Sequence, residues 1–219
     1  MDFPSTPRWG ARMDRRTDGA RRRGGIRGLS AIFAAGLLLA GCVAGGDNGF
    51  DAGLTSIAAQ RMQFTVEAVC LNNRDRGAQD RAVRALGFPD RFRDGEATIY
   101  VNPGTLTYVR LGRTPAISFT GENGQTRVLP ERHGCSVGSP AVGVRAANRV
   151  AGQVLAPRLV DGSDLLIAPL GAGTNADGGA GFFFETLSVT LPTFSTGLTD
   201  PSTGQETVFE HPVILVVHS

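Results

Sequence analysis

The chain has 219 residues and a formal net charge of +2, and all of its 22 basic residues are arginine. Eight of those arginines and only three aspartates fall in residues 1–41, so the remaining 178 residues carry a net −3. That balance argues against a nucleic-acid partner or an anionic lipid held by a basic patch, and the length suits one domain or two small ones.

Read from its start, the chain opens with a basic stretch, ARRRGGIRG (20–28), and continues into an apolar run, LSAIFAAGLLLAG, that stops at Cys42. A positive segment, a short apolar segment and small residues at its end are the parts of a secretory signal peptide. The run is too short for a spanning helix, which needs ~20 apolar residues. Met13 would give a more compact presequence than Met1. The junction Leu39-Ala40-Gly41-Cys42 resembles the lipobox of bacterial lipoproteins, L-[AST]-[GA]-C. The resemblance covers the signal and its junction only. It implies diacylglyceryl transfer to the Cys42 sulfur, cleavage before Cys42 and a membrane anchor built of acyl chains, each buried CH₂ contributing ~0.8 kcal/mol. With Val43 rather than aspartate after the cysteine, it also implies an outer-membrane lipoprotein facing the periplasm. Residues 1–41 are then signal peptide and 42–54, glycine-rich and polar, a flexible tether. Once Cys42 is lipidated, Cys70 and Cys135 are the two cysteines left. In an oxidising envelope compartment such a pair is expected to form a disulfide, closing a loop of about 66 residues and stabilising the fold by roughly 4 kcal/mol.

Beyond the tether, residues 55–73 alternate like a strand at Met62, Phe64, Val66, Ala68 and Cys70. The pair Asn72-Asn73 makes a plausible helix end, however, and a helix is expected. AQDRAVRALG (78–87) predicts a second helix stopped by Gly87. ATIYVN (97–102) and TLTYVRL (105–111) flank a Pro103-Gly104 turn, and AISFT (116–120) and QTRVL (125–129) flank GENG (121–124), which predicts two hairpins. Residues 139–157 predict a helix with Ser139 as cap, Pro140 in the first turn and Pro157 past the end. LLIAPL (165–170), FFFETLSVTL (182–191) and TVFEHPVILVVH (207–218) read as strands separated by Gly/Thr/Ser-rich loops. The expected architecture is α+β: an antiparallel sheet with two or three helices, one disulfide, and a C-terminal β extension. The core is 55–157, and the β-rich part, 158–219, is expected to pack on the same domain.

Chemistry-bearing motifs are sparse. Gly134 to Gly138 read GCSVG, formally the G-x-S-x-G turn that presents a nucleophilic serine in α/β-hydrolases. Ser136 would need a strand before it, and the preceding LPERHG is polar and contains proline, so GCSVG reads as a disulfide corner entering a helix. Asp164 and His211 are the least implausible triad partners, with Asp161, Asp177 and His218 also in triad order. The loop 171–181 offers only Asn175 and Asp177 as oxygen ligands, too few for calcium, and no helix follows to cradle a phosphate. His133, His211 and His218 are too scattered to predict a metal site. Phe182-Phe183-Phe184 reads first as core, with lining a ligand cleft or meeting a partner as the alternatives, since in a strand at least one ring is exposed unless covered. No cofactor or metal is expected. The leading expectation is a lipid-anchored envelope lipoprotein with a non-enzymatic binding or structural role, its partner an envelope protein or a small apolar ligand. The alternatives are a periplasmic serine hydrolase using Ser136 and an accessory subunit of an envelope complex.

Overall fold

A computed structural model describes residues 49–121, 124–161, 172–175, 179–184, 186–199 and 203–219. The leader, Cys42, most of the tether, Asp164, Asp177 and the strand expected at 165–170 lie outside the described residues.

Asp51 opens helix α1 (Ala52–Thr65) by accepting the Leu54 N–H at 2.9 Å, so the last three residues assigned to the tether are helical. The backbone then widens into a π-helical turn, Val66–Leu71, in which Val66, Val69, Cys70 and Leu71 are buried. Asn73 ends it: its side-chain amide donates to the carbonyls of Ala68 and Val69, groups a helix end otherwise leaves unpaired. Helix α2 (Arg76–Ala85) starts in the same way on Asp75. It stops before Gly87, whose φ of +69° is the left-handed conformation that favours glycine after a helix.

Strands β1 (Asp90–Asp94), β2 (Ala97–Asn102) and β3 (Thr107–Thr114) form an antiparallel meander. Next come β4 (Ile117–Gly121), β5 (Thr126–Leu129) and β6 (Arg132–Gly138). Together β3 to β6 are one long hairpin with a bend. Thr114 pairs with Arg132 before the bend and Ile117 with Leu129 after it, so the register passes through without a slip. Pro115 and Pro130 stand at the bend, where the missing N–H interrupts the ladder. Helix α3 (Val144–Asp161), β7 (Ala172–Thr174) and β8 (Ala180–Phe183) follow. The C-terminal strands repeat the bent-hairpin device. Both β9 (Leu187–Thr190) and β10 (Thr193–Thr199) pair with the 13-residue β11 (Glu206–His218) in one register, Thr190 opposite Leu215 and Thr193 opposite Pro212, with Pro192 between them.

These pairings close on themselves. The path β3–β6–β11–β9–β8–β7–β4 returns to the strand on which it began, because β4 continues β3. The result is an antiparallel ring six strands round, with β1–β2 leaving one side and the β10–β11 arm one end. The fold is α+β, with three α-helices among the described residues and a disulfide between Cys70 and Cys135, whose Cα atoms are 5.5 Å apart. The helices cover the outside of the ring. Val109, Leu111, Cys135, Val137, Ile214 and Val216 face them and join Met62, Val66, Ala151 and Leu155 in the main core.

The structure corrects further local expectations. FFFETLSVTL (182–191), expected as one strand, is split between the antiparallel β8 and β9. GCSVG is not a corner: it is the body of β6, held between β3 and β11, and a polar, proline-preceded stretch forms a strand because the long hairpin supplies its partner. Residue Ser139 caps a turn rather than the helix, accepting the Ala141 N–H. Consequently α3 begins five residues later than expected and runs past Pro157, which sits inside its last turns. The Thr/Ser-rich stretch 193–199, expected as a loop, is strand β10.

Alternation explains the glycines of β6. Cys135 and Val137 point to the helices, while Gly134, Ser136 and Gly138 point into the ring. A Cβ on Gly138 would lie 2.6 Å from the Tyr108 ring and 2.7 Å from Val213, and one on Gly134 would lie 2.6 Å from Leu215. Gly138→Ala is therefore expected to lower unfolding stability by about 1–3 kcal/mol. Gly152→Ala on α3, where a Cβ meets nothing within 4 Å, should raise it by roughly 0.5–1 kcal/mol. Urea denaturation of the two variants checks both signs.

Candidate functional site

Strand order and alternation decide what faces the inside of the ring. On one cross-strand row, Arg110, Ser136, Leu215, Thr190 and Gly181 stand side by side. Phe183 on β8 meets Phe119 on β4 edge to face, centroids 5.3 Å apart. Gly181 makes room for that pair, since a Cβ there would lie 2.7 Å from Phe119. The three consecutive phenylalanines are thus all covered: Phe183 inside the ring, Phe182 and Phe184 outside it among the helix-facing residues.

One end of the ring is plugged. Ile99, Val101, Tyr108 and Val213 form a small core there, flanked by Phe92 and Phe194. Within it the Tyr108 hydroxyl and His211 Nε2 are 3.0 Å apart, both residues being buried. Burial pushes the Tyr108 phenol pKa up. It also pulls His211 down to about 4, although the Phe209 carbonyl beside Nδ1 acts the other way.

At the other end, where the hairpin bends, a cavity of about 280 Å³ opens. Ile117, Leu129, Phe183, Leu187, Leu215 and Val217 supply its apolar wall. Thr114, Ser188 and Arg132 add polar groups, and Val128, 58% exposed, stands at its rim. The bend itself builds this site: Pro115 and Pro130 both line it, and the Thr114 hydroxyl donates to the Arg132 carbonyl across the hairpin at 3.1 Å. Mouths of β-barrels are a recurring place for small-molecule sites. A second hollow, about 430 Å³, lies between α1 and α3, where Ala52, Ala59, Ala146 and Val150 share the lining with Thr55, Gln60, Gln63, Arg149 and Gln153.

The residues singled out in the sequence do not converge. Ser136 is fully buried in mid-strand, its hydroxyl without a hydrogen-bond partner among the described residues. The nucleophile turn strains its serine backbone, whereas Leu106 is the non-glycine residue with positive φ among those described. Leu215 lies opposite Ser136, so His211 is four residues further along β11, roughly 13 Å at strand rise. His133 lies on the helix-facing side of β6. Burial, with Arg76 and Arg110 nearby, lowers its pKa. His218 Nε2–H donates to the Cys70 carbonyl at 2.7 Å. Asn175 is used in its own turn, accepting the Gly179 N–H and donating to the Leu191 carbonyl. Among the described residues no three His, Cys, Asp or Glu side chains gather as a metal set, and no helix is long and apolar enough to cross a membrane. The cavity residues were missed from sequence. Their signal was the pair of prolines, Pro115 and Pro130, placed almost symmetrically about GENG.

The His211 environment has a pH signature. An unfolded histidine titrates near 6.5 and the folded one near 4. Between those values the unfolded chain binds a proton that the folded one refuses, so stability falls as pH drops through this window and is fully present above it. The loss amounts to about 3 kcal/mol below pH ~4. Chemical denaturation at stepped pH should show that decrement in the wild type and its absence in His211→Gln.

The chain matches no family model, no curated protein and no solved structure.

Proposed function

We propose that this chain is a lipid-anchored protein of the bacterial envelope that binds a small apolar ligand in the cavity at the bent end of its strand ring, without catalysing a reaction. The observation that carries the binding reading is the cavity itself. Its wall is made of side chains from β4, β5, β8, β9 and β11, elements far apart in sequence that converge only because the ring closes. An engineered apolar cavity of 150 Å³ holds benzene. About 280 Å³ therefore suits a ligand of roughly ten to twelve heavy atoms. The non-enzymatic reading is supported by Ser136, which is fully buried and placed well away from His211 along the strands. The anchor rests on the signal peptide and on the Leu39-Ala40-Gly41-Cys42 junction.

The uncharged fluorophore 1-naphthylamine, a bicyclic amine within the size the cavity accepts, provides the test of binding. Its blue-shifted emission is expected to rise saturably with the mature protein and to require at least tenfold more protein with Val217→Trp, which narrows the cavity. Circular dichroism checks that the variant is folded. Emission that does not saturate, or that Val217→Trp leaves unchanged, overturns the ligand reading. For the anchor, intact mass of protein taken from its own membrane should show cleavage before Cys42 and a lipid-sized increment that Cys42→Ser abolishes.

A further inference from the structure

We infer that the cavity ligand is an amphipathic anion, a single apolar chain or small ring system ending in a carboxylate, with Arg132 as the residue that recognises its head group. The inference rests on the binding reading above and adds the chemistry of the ligand.

Three observations carry it. The first is the asymmetry of the cavity. Phe183 and Leu215 form a buried apolar part of its wall, while Thr114, Ser188, Ser219 and the exposed Arg132 make the rest of the lining polar. The second is that the Arg132 guanidinium forms no ion pair or hydrogen bond with any described residue. Arg84, Arg91 and Arg113 are matched to Asp80 or Glu96, and Arg61, Arg76 and Arg110 donate to protein oxygens. Arg74, Arg81, Arg93, Arg145 and Arg149 also lack a partner among the described residues, and Arg132 is the one of this group that lines the cavity, with five guanidinium donors for a ligand. The neighbouring Glu131 is exposed and does not line the cavity, whereas Ser219 lines it and makes no ion pair with Arg132.

The third is the fixed position of Arg132. It is the first residue of β6, cross-strand from Thr114, whose hydroxyl is bonded to its carbonyl. The backbone that carries the guanidinium is thus held at the bend while the side chain reaches solvent. A guanidinium meets a carboxylate through two parallel hydrogen bonds, a geometry that an ammonium cannot reproduce. An apolar tail in the depth and an anion at the mouth would satisfy both parts of the site together. The cavity volume limits the tail to about ten carbons.

Competition against 1-naphthylamine separates the two levels of this reading. Decanoate and decanol share a chain length and differ in the head group, and both are used below the concentration at which decanoate forms micelles. In the wild type, decanoate is expected to displace the fluorophore at about one-tenth the concentration that decanol needs. Arg132→Ala should bring the two curves together by weakening decanoate alone, and Arg132→Lys should restore part of the preference. High salt should shrink it, because the mouth is open to screening. Equal displacement by decanoate and decanol in the wild type, or a preference that survives Arg132→Ala, overturns the inference and leaves the binding reading standing. Failure of both compounds to displace a saturably bound fluorophore overturns the two together.

Discussion

The rest of the structure depends on how little space a ring of six strands encloses. Even an eight-stranded barrel is only just wide enough for side chains to fill its interior, and this ring is narrower. Several of the large inward side chains have room only because a glycine lies beside them. The interior is accordingly a set of complementary pairs: Tyr108 and Val213 over Gly138, Leu215 over Gly134, Phe119 and Phe183 against Gly181. Overpacking such a site costs more than the extra apolar area returns. The same pairs set where the hollow can be. The Tyr108 core fills one end, and the hollow lies at the bend, with Phe183 in its wall.

The bent end is held from outside by the π-helical turn. Cys70 is bound to Cys135 on β6, and its carbonyl accepts the His218 Nε2–H from β11. One turn of chain is therefore tied to two neighbouring strands of the ring. Because side chains alternate along a strand, fixing Cys135 and His218 on the outer face also fixes Gly134, Leu215 and Val217 on the inner one. The disulfide thus stabilises more than the helix-facing core; it sets the position of the cavity wall. A wide helical turn suits this role because it brings Val66, Val69, Cys70 and Leu71 all into burial, which a narrower helix face does less readily.

Local pattern made some of this legible in sequence. The caps Asp51 and Asp75 and the asparagine stop Asn73 act on their own neighbours, and the two hairpins around Pro103 and GENG follow from turn chemistry within a few residues. The disulfide was readable because two cysteines remained once Cys42 was assigned elsewhere. The ring was not readable, since its closure rests on β4 meeting β7 and β6 meeting β11, contacts between distant segments that leave no local trace. GCSVG shows the difference most clearly. Its alternation of small inner residues with apolar outer ones is a strand pattern, but the glycines and the preceding proline imitate a turn. Only the neighbours Tyr108 and Leu215 reveal why the glycines are there. The cavity shares that fate: Ile117, Phe183 and Leu215 looked like ordinary core, and Arg132 like one arginine among 22.

The glycine pairs also bear on what the cavity can hold. A ligand entering at the bend meets Phe183 and Leu215 as a floor, and both are nearly fully buried. Leu215 is backed by the row of Ser136 and Thr190, whose hydroxyls are buried without partners among the described residues. Pushing a tail past Leu215 would bring it against those hydroxyls and remove the floor's own packing, each of which costs free energy. If the cavity binds as proposed, a longer ligand would gain nothing from extra carbons inside the ring and would leave them in water at the mouth, beside Arg132. For the ligand proposed above, the narrowness of the ring would limit chain length and the bend would recognise the head group. The two properties are separable because different strands carry them.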